Sequence, residues 1–293
     1  MLNNGLFVGL ITLDFVYLVT DYPSQNQKIV ATDSITAAGG PATNAAVTFS
    51  YLGNQSMLLG VLGCHPITQL IKADLAECKV SITDLDPTRL DSPPVSSIII
   101  TQNSGDRAVI SINATKSQAN QTINPDILAD VDIILIDGHQ MLISQEIAQI
   151  AKLNHIPMVI DAGSWKPGFE KILPLVDYVI CSEHFYPPDC HNSQEVFAYL
   201  SAMEIPHIAI TCGEKPIQYL SDGINGRIEV PQINPVDTLG AGDIFHGAFC
   251  HYILQANFIE ALAAAAKVAS YSCQFFGTRC WREIDILPKL GYK

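Results

Sequence analysis

Charge is scarce in this chain. Only 15% of its 293 residues are Asp, Glu, Lys or Arg, and basic residues are the rarer kind. The 16 Lys and Arg face 29 Asp and Glu, a formal net charge of −13, and Lys and Arg form no cluster. Nucleic acids and anionic membrane surfaces are gripped through such clusters, so both are excluded as principal partners. A small phosphorylated ligand is not excluded, because backbone N–H groups hold phosphate without net positive charge. No apolar run reaches the ~18–20 residues of a membrane span. The first residues lack a basic stretch followed by a cleavage site, so the expectation is a cytoplasmic protein. The eight cysteines form no C-x-x-C pair, which leaves neither a disulfide framework nor a zinc site to expect; most read as small buried hydrophobes. The Asn-x-Ser/Thr triplets at Asn54, Asn113 and Asn120 carry little meaning in that compartment. The first strand leads into Thr12-Leu13-Asp14 and not into G-x-G-x-x-G, which argues against a nicotinamide-dependent oxidoreductase. Internal repeats and low-complexity linkers are missing too.

What the chain does have is apolar residues, 48% of the total, enough for a sizeable core. From Val131 onward they fall into a regular rhythm. Val131–Ile136, Met158–Ile160, Tyr178–Cys181 and Ile208–Thr211 are short runs rich in Ile and Val, and helical spacing separates several of them, as in Leu142–Leu153 and Ser193–Met203. Short buried strands alternating with helices predict an α/β fold, a doubly wound and mostly parallel sheet covered on both faces. Each run ends in polar or small residues: Asp137-Gly138-His139, Asp161-Ala162-Gly163, Ser182-Glu183-His184 and Cys212-Gly213. In open α/β sheets the ligand crevice lies off the carboxyl ends of the strands, so these four clusters are expected to converge.

Two regions break the rhythm early in the chain. Phe15–Ile35 has no helical period, and Ser96–Thr101 with Arg107–Asn113 reads as two strands joined across Asn103-Ser104-Gly105-Asp106. They are expected to form a small β lid from insertions at about 15–36 and 94–114 in one α/β domain spanning 1–293. Exposed strand edges on such a lid are often covered by a second subunit, which makes a homodimer the expected assembly. Late in the chain, Pro216–Leu220 and Gly226–Val230 flank a Ser221-Asp222-Gly223 turn and predict a hairpin. Helices are expected over Ala42–Leu52, Asp243–Leu254 and about Ile259–Phe275, the last with Gly277 as its C′ residue.

The chemistry concentrates in three places. The run Asp237-Thr238-Leu239-Gly240-Ala241-Gly242-Asp243 sets a Gly-Ala-Gly turn before an apolar helix and closes on a carboxylate. A helix N-terminus attracts anions through free N–H groups and the helix dipole, and glycines let a phosphate approach the backbone. A carboxylate there would repel the phosphate, unless it takes a proton from an attacking hydroxyl; the alternative is a helix cap. Ala38-Gly39-Gly40-Pro41-Ala42-Thr43-Asn44 opens another helix, and Asn44 both donates and accepts, as sugar hydroxyls require. Its alternative is an ordinary helix start with Pro in the first turn. Asp14 follows the first strand and can accept from two adjacent hydroxyls, or be a solvated loop carboxylate. Asp137, His139 and Asp161 at strand ends could touch substrate or a cation, or be satisfied rim residues, and Arg107 could be a solvated turn residue.

Together these residues resemble the ribokinase-like (PfkB) family of carbohydrate and nucleoside kinases, in the right order over nearly the whole chain. The resemblance implies an ATP-dependent kinase with Mg2+, and in some members a monovalent cation, acting on a sugar hydroxyl, most readily the primary hydroxymethyl of a furanose or keto-hexose. Asp14, Gly39, Gly40 and Asn44 match its substrate-binding residues. Asp243 matches its catalytic base, and the backbone of Gly240, Ala241 and Gly242 its anion hole. Thr211-Cys212-Gly213 looks like its nucleotide-binding turn, with Asp237 ordering the loop, a cation or the phosphates. The chain departs from the family in having Cys181-Ser182-Glu183-His184 where Asn-x-x-Glu is common, which leaves Glu183 as the carboxylate to hold magnesium-bound water. It also has Gly39-Gly40-Pro41 for Gly-Gly-Lys, Pro216 near an expected glycine, and alanine near Ala266 where some members place asparagine against adenine. A nucleoside or other small-alcohol kinase of the family, and a non-catalytic sugar or nucleotide sensor on the same fold, remain alternatives.

Overall fold

The Ile- and Val-rich runs form the centre of a nine-stranded sheet. The computed structural model describes residues 2–102, 105–112, 118–119 and 122–283. Its strands are β1 (Asn4–Val8), β2 (Thr12–Val19), β3 (Asp33–Gly39), β4 (Gln55–Gly60), β5 (Val80–Asp84), β6 (Val95–Thr101), β7 (Arg107–Ser111), β8 (Ile133–Ile136), β9 (Met158–Ala162), β10 (Tyr178–Ser182), β11 (His207–Cys212), β12 (Lys215–Ser221) and β13 (Ile224–Ile228). The helices are α1 (Pro41–Tyr51), α2 (Thr68–Glu77), α3 (Met141–Leu153), α4 (Phe169–Ile172), α5 (Ser193–Ser201), α6 (Ala241–Ile253) and α7 (Phe258–Ser272). The large sheet runs β13-β12-β11-β10-β9-β8-β1-β4-β5, parallel from β11 to β5 and antiparallel at the β12–β13 hairpin.

Alternation along the strands divides the core in two. Phe7, Leu58, Leu135, Val159, Ile180 and Ala209 pack on one face beneath α1, α6 and α7. Leu6, Leu59, Ile134, Ile160 and Val179 pack on the other, beneath α3, α4 and α5. Helices α1 and α6 cross closely at Gly247, where a Cβ would collide with the Ala45 carbonyl and the Thr48 side chain. This contact brings the starts of the two helices together.

A second sheet, ordered β3-β2-β6-β7, stands beside the first. Val16, Ile98 and Ile100 on its inner side pack with Ile35, Leu239 and Phe276. Strands are therefore present in both early regions, and β2 starts at Thr12, ahead of the expected boundary. The inner strand edge joins β6 to β2 in parallel, while β7 forms the outer edge with every residue exposed. Part of the expected turn (Asn103, Ser104) and the triplets at Asn113 and Asn120 lie outside the described residues. Five of the eight cysteines are buried, and none is in a disulfide. Among the described residues, no helix is long and apolar enough to cross a membrane.

Several boundaries differ from expectation. The β12–β13 turn places Asp222 and Gly223 at positive φ, as a two-residue hairpin of right-handed twist requires. Helix α6 begins at Ala241, so Asp243 lies in its first turn and is not its cap. Helix α7 ends at Ser272, and Gly277 is not its C′ residue. The Cys273 carbonyl accepts the N–H groups of Val236 and Asp237, which draws the chain off the helix axis toward the 237–243 loop. Replacing Gly247 with alanine is expected to push α1 from α6 and destabilise the fold by about 1–3 kcal/mol, measured as a lower urea midpoint at unchanged slope.

Candidate active site

The loop before α6 is shaped by its own carboxylate. Asp237 is buried, and its side chain accepts from the N–H of Leu239 at 2.8 Å and of Gly277 at 2.7 Å. Gly240 then takes the left-handed conformation, φ 69°, and starts the helix without any side-chain cap. A side chain there would also meet Thr278 and approach the Asn44 amide and the Asp243 carboxylate, so only glycine fits among them. The Ala241 N–H makes a long 3.3 Å bond to the Thr238 carbonyl. The next N–H groups, on Gly242 and Asp243, belong to the first turn, where an α-helix offers no carbonyl to pair them. A Cβ on Gly242 would meet nothing within 4 Å, so this rim faces open space.

Asp243 is not a helix cap. Its Oδ2 accepts from Asn44 Nδ2 at 2.8 Å, across 199 residues of sequence. Burial raises its pKa to about 7, helped by the charges of Asp161 and Asp137 and opposed by the Asn44 bond and His246. Asn44 lies in the first turn of α1, which opens at Gly40 with Pro41 in its first turn. Its Oδ1 accepts from the Arg279 guanidinium at 3.0 Å. Arg279 also donates to the Ala38 carbonyl at 2.6 Å and pairs with Asp74 at 3.0 Å.

Asp14 sits on β2, not in a solvated loop, with its carboxylate where a Cβ of Gly39 would stand. Burial raises its pKa to about 6, against the hydroxyls of Ser96 and Thr12 and the charge of Arg279. Its Oδ1 is buried with no hydrogen-bond partner among the described residues, and so is Oδ2 of Asp161. A buried carboxylate oxygen without a donor is costly, and such atoms suit the hydroxyls of a polar ligand.

Asp137 serves the frame of the site. It accepts from the N–H groups of Leu10, Ala42 and His139 at 2.9, 3.2 and 2.9 Å, which ties the end of β8 to the start of α1. Burial raises its pKa, but the nearby charges of His139 and Lys166 and these bonds outweigh it and hold the carboxyl at about 2. His246 lies between Asp161, 3.5 Å from Nδ1, and the carbonyls of Gly242 and Ile180.

At the end of β11, the Thr211 hydroxyl donates to the Cys181 carbonyl at 3.2 Å and joins β11 to β10. Gly213 follows at φ 56° with open space around it. Glu183 is exposed and accepts the Cys212 thiol at 2.6 Å. Open space at Gly213 and Gly242 fits the backbone cradle a polyphosphate needs. The described residues contain no group of three or more His, Cys, Asp or Glu placed to hold a metal ion. Arg107, at the start of β7, donates to the carbonyl and hydroxyl of Thr238 at 2.8 and 3.0 Å, and is thus docked on the 237–243 loop.

Arg279, Thr278, Asp74 and His246 were not legible as site residues from the chain. Only Gly277-Thr278-Arg279, a small-residue pair before a basic residue in an apolar stretch, hinted at a special position.

A mostly parallel sheet beside a small second sheet, with two helix N-termini meeting at one carboxylate, defines a ribokinase-like α/β fold. The model of the pfkB family carbohydrate kinases matches residues 4–283, and the chain belongs to this family of ATP-dependent carbohydrate kinases. It is 24% identical to the ribokinase of Bacillus subtilis (strain 168) over 292 residues, covering 95% of each chain. With the ribokinase of Lactococcus lactis subsp. lactis it shares 25% over 288 residues, 93% of this chain and 91% of that one. The solved structure of Arabidopsis thaliana ribokinase complexed with ribose and ATP superposes with a TM-score of 0.81 at 20% identity and full coverage of both chains.

The buried carboxylates set the pH dependence of stability. Asp14 and Asp243 have folded pKa values raised above the ordinary aspartate value, to about 6 and about 7, so the folded state holds more protons than the unfolded state between the ordinary and the raised values. Their contribution therefore falls as pH rises from about 4 to 7. Asp137, lowered to about 2, acts oppositely: its contribution is present above the unfolded value and lost as pH falls through 2. Asp14→Asn is expected to raise the unfolding free energy at pH 8 by about 1–3 kcal/mol and to flatten its dependence between pH 4 and 6 in urea titrations.

Proposed function

We propose that the protein transfers the γ-phosphate of ATP to a hydroxyl of a small sugar, most readily a primary hydroxymethyl, with Asp243 as general base. The observation that carries this reading is the Asn44–Asp243 contact at the start of α6, where a half-buried carboxylate stands beside helix N–H groups that face open space. Asp14, Gly39, Gly40 and Asn44 bind the sugar. The partnerless Oδ1 of Asp14 supports that role, as it can accept from a hydroxyl. Thr211, Gly213, Asp237, Gly240 and Gly242 shape the nucleotide side.

The chemistry follows from the electrostatics. Ionised Asp243 accepts the hydroxyl proton as the oxygen attacks phosphorus in line. Burial makes it a stronger base than an ordinary carboxylate. The backbone of Gly240, Ala241 and Gly242 and the dipole of α6 stabilise negative charge on the transferring group. Glu183 would hold magnesium through water, and the ion would neutralise charge on the phosphates. The small sheet acts as a lid: it carries Asp14 and, through Arg107, touches the phosphate loop, so closure over the sugar and order in that loop go together. Exclusion of water then limits ATP hydrolysis.

Asp243→Asn is expected to lower turnover by about two to four decades while ATP binding, followed by calorimetry, persists. In the intact enzyme kcat/KM should rise with pH through about 7 as Asp243 loses its proton. Near-normal turnover of the variant removes the base assignment.

The lid also supports a homodimer. Strand β7 is an open edge, and Val109, Ile110 and Ile112 are 49, 70 and 74% exposed. Ile110→Lys is expected to convert a dimer to monomers in sedimentation velocity; a monomeric parent protein contradicts the assembly.

A further inference from the structure

We infer that Arg279 is a positioning residue for phosphoryl transfer: by donating to Asn44 Oδ1 it fixes which end of the Asn44 amide meets Asp243. The inference rests on the reading of Asp243 as the base and adds to it a residue from the far end of the chain.

An asparagine amide has one accepting end and one donating end. Were Asn44 turned over, its oxygen would face the Asp243 carboxylate, and two acceptors would repel each other. A guanidinium has donors only, so a neighbour such as Arg279 admits Oδ1 and rejects Nδ2. Nη1 of Arg279 lies 3.0 Å from Asn44 Oδ1, and Asn44 Nδ2 lies 2.8 Å from Asp243 Oδ2. The two bonds form one directional chain that ends on the carboxylate.

The guanidinium itself is held still. It is 9% exposed, and its nitrogens reach Asp74, Ala38 and the hydroxyl of Thr278. Ala38 immediately precedes Gly39 and Gly40. Its N–H donates to Asp74 Oδ2 at 3.0 Å and its carbonyl accepts from Arg279 at 2.6 Å, so the same ion pair grips both backbone groups of this residue. Trp281, fully buried, donates to the Thr278 carbonyl and anchors the segment. A buried ion pair is a weak source of net stability compared with apolar packing. Its value here lies in direction: one cation orients the sugar-side turn, the Asn44 amide and, through it, the base.

The test compares Arg279→Lys, Arg279→Gln and Asp74→Asn with the parent enzyme, and Arg279→Lys again in an Asn44→Ala background. Asp74→Asn loosens the guanidinium from its more exposed side and serves if a buried substitution fails to fold. The expected result is a loss on the order of 10- to 100-fold in kcat/KM for the sugar, with the KM for ATP nearly unchanged. The acid limb of the pH profile should move to higher pH, because Asn44 then no longer favours ionised Asp243. The other charged groups facing Asp243 are Asp161 on β9, Asp137 after β8 and His246 on α6, and the variants leave all three in place. In the Asn44→Ala background Arg279→Lys should no longer move the acid limb, since Arg279 reaches Asp243 through Asn44. An unmoved acid limb in Arg279→Lys and Asp74→Asn, or an equal shift of that limb with and without Asn44, overturns the inference. Those results leave the base assignment intact, whereas an active Asp243→Asn enzyme removes that assignment instead.

Discussion

One hydrogen bond, from the Asn44 amide to the Asp243 carboxylate, ties the two halves of this molecule into a site. It can form only because α1 and α6 start at the same place. That coincidence comes from the tight crossing at Gly247 and from two glycine turns, each opening a helix toward the other. A helix N-terminus draws anions, and two of them converging draw one strongly. The Asp243 carboxylate lies between them.

The price of this arrangement is electrostatic crowding. Asp14, Asp137, Asp161 and Asp243 are gathered at the carboxyl ends of the strands in a chain already rich in acid. The molecule treats them differently. Asp137 and Asp237 accept backbone N–H groups and hold the frame. Asp14 keeps an oxygen with no hydrogen-bond partner among the described residues, Asp161 Oδ2 faces the His246 ring at 3.5 Å, and burial raises the pKa of Asp243.

The small sheet shares its inner packing with the 237–243 loop. Leu239 and Phe276 fill its underside, and Arg107 clasps Thr238 from its outer strand. Asp237 in turn fastens that loop to Gly277, two residues before Arg279. The small sheet, the loop and the segment after α7 are therefore connected to one another. A sugar contacting Asp14 and a nucleotide contacting the α6 turn would each meet the same set of supports.

The periodic Ile and Val runs determined the doubly wound sheet, because a strand buried on both faces can be nothing but apolar. The glycine turns that open α1 and α6 were equally legible, since the positive φ of Gly40 and Gly240 favours glycine. Helix ends were less legible: the stop at Ser272 depends on the Cys273 carbonyl meeting a loop some 36 residues earlier in the chain. Nor could the residues alone show whether Asp14 is solvated, whether Arg107 is docked, or that Arg279 touches Asn44. Local pattern reports which backbone conformation a segment prefers, and so it determined the elements and their chemistry. Partners 131 to 241 residues apart are chosen by how the layers pack, and only the tertiary structure decided those.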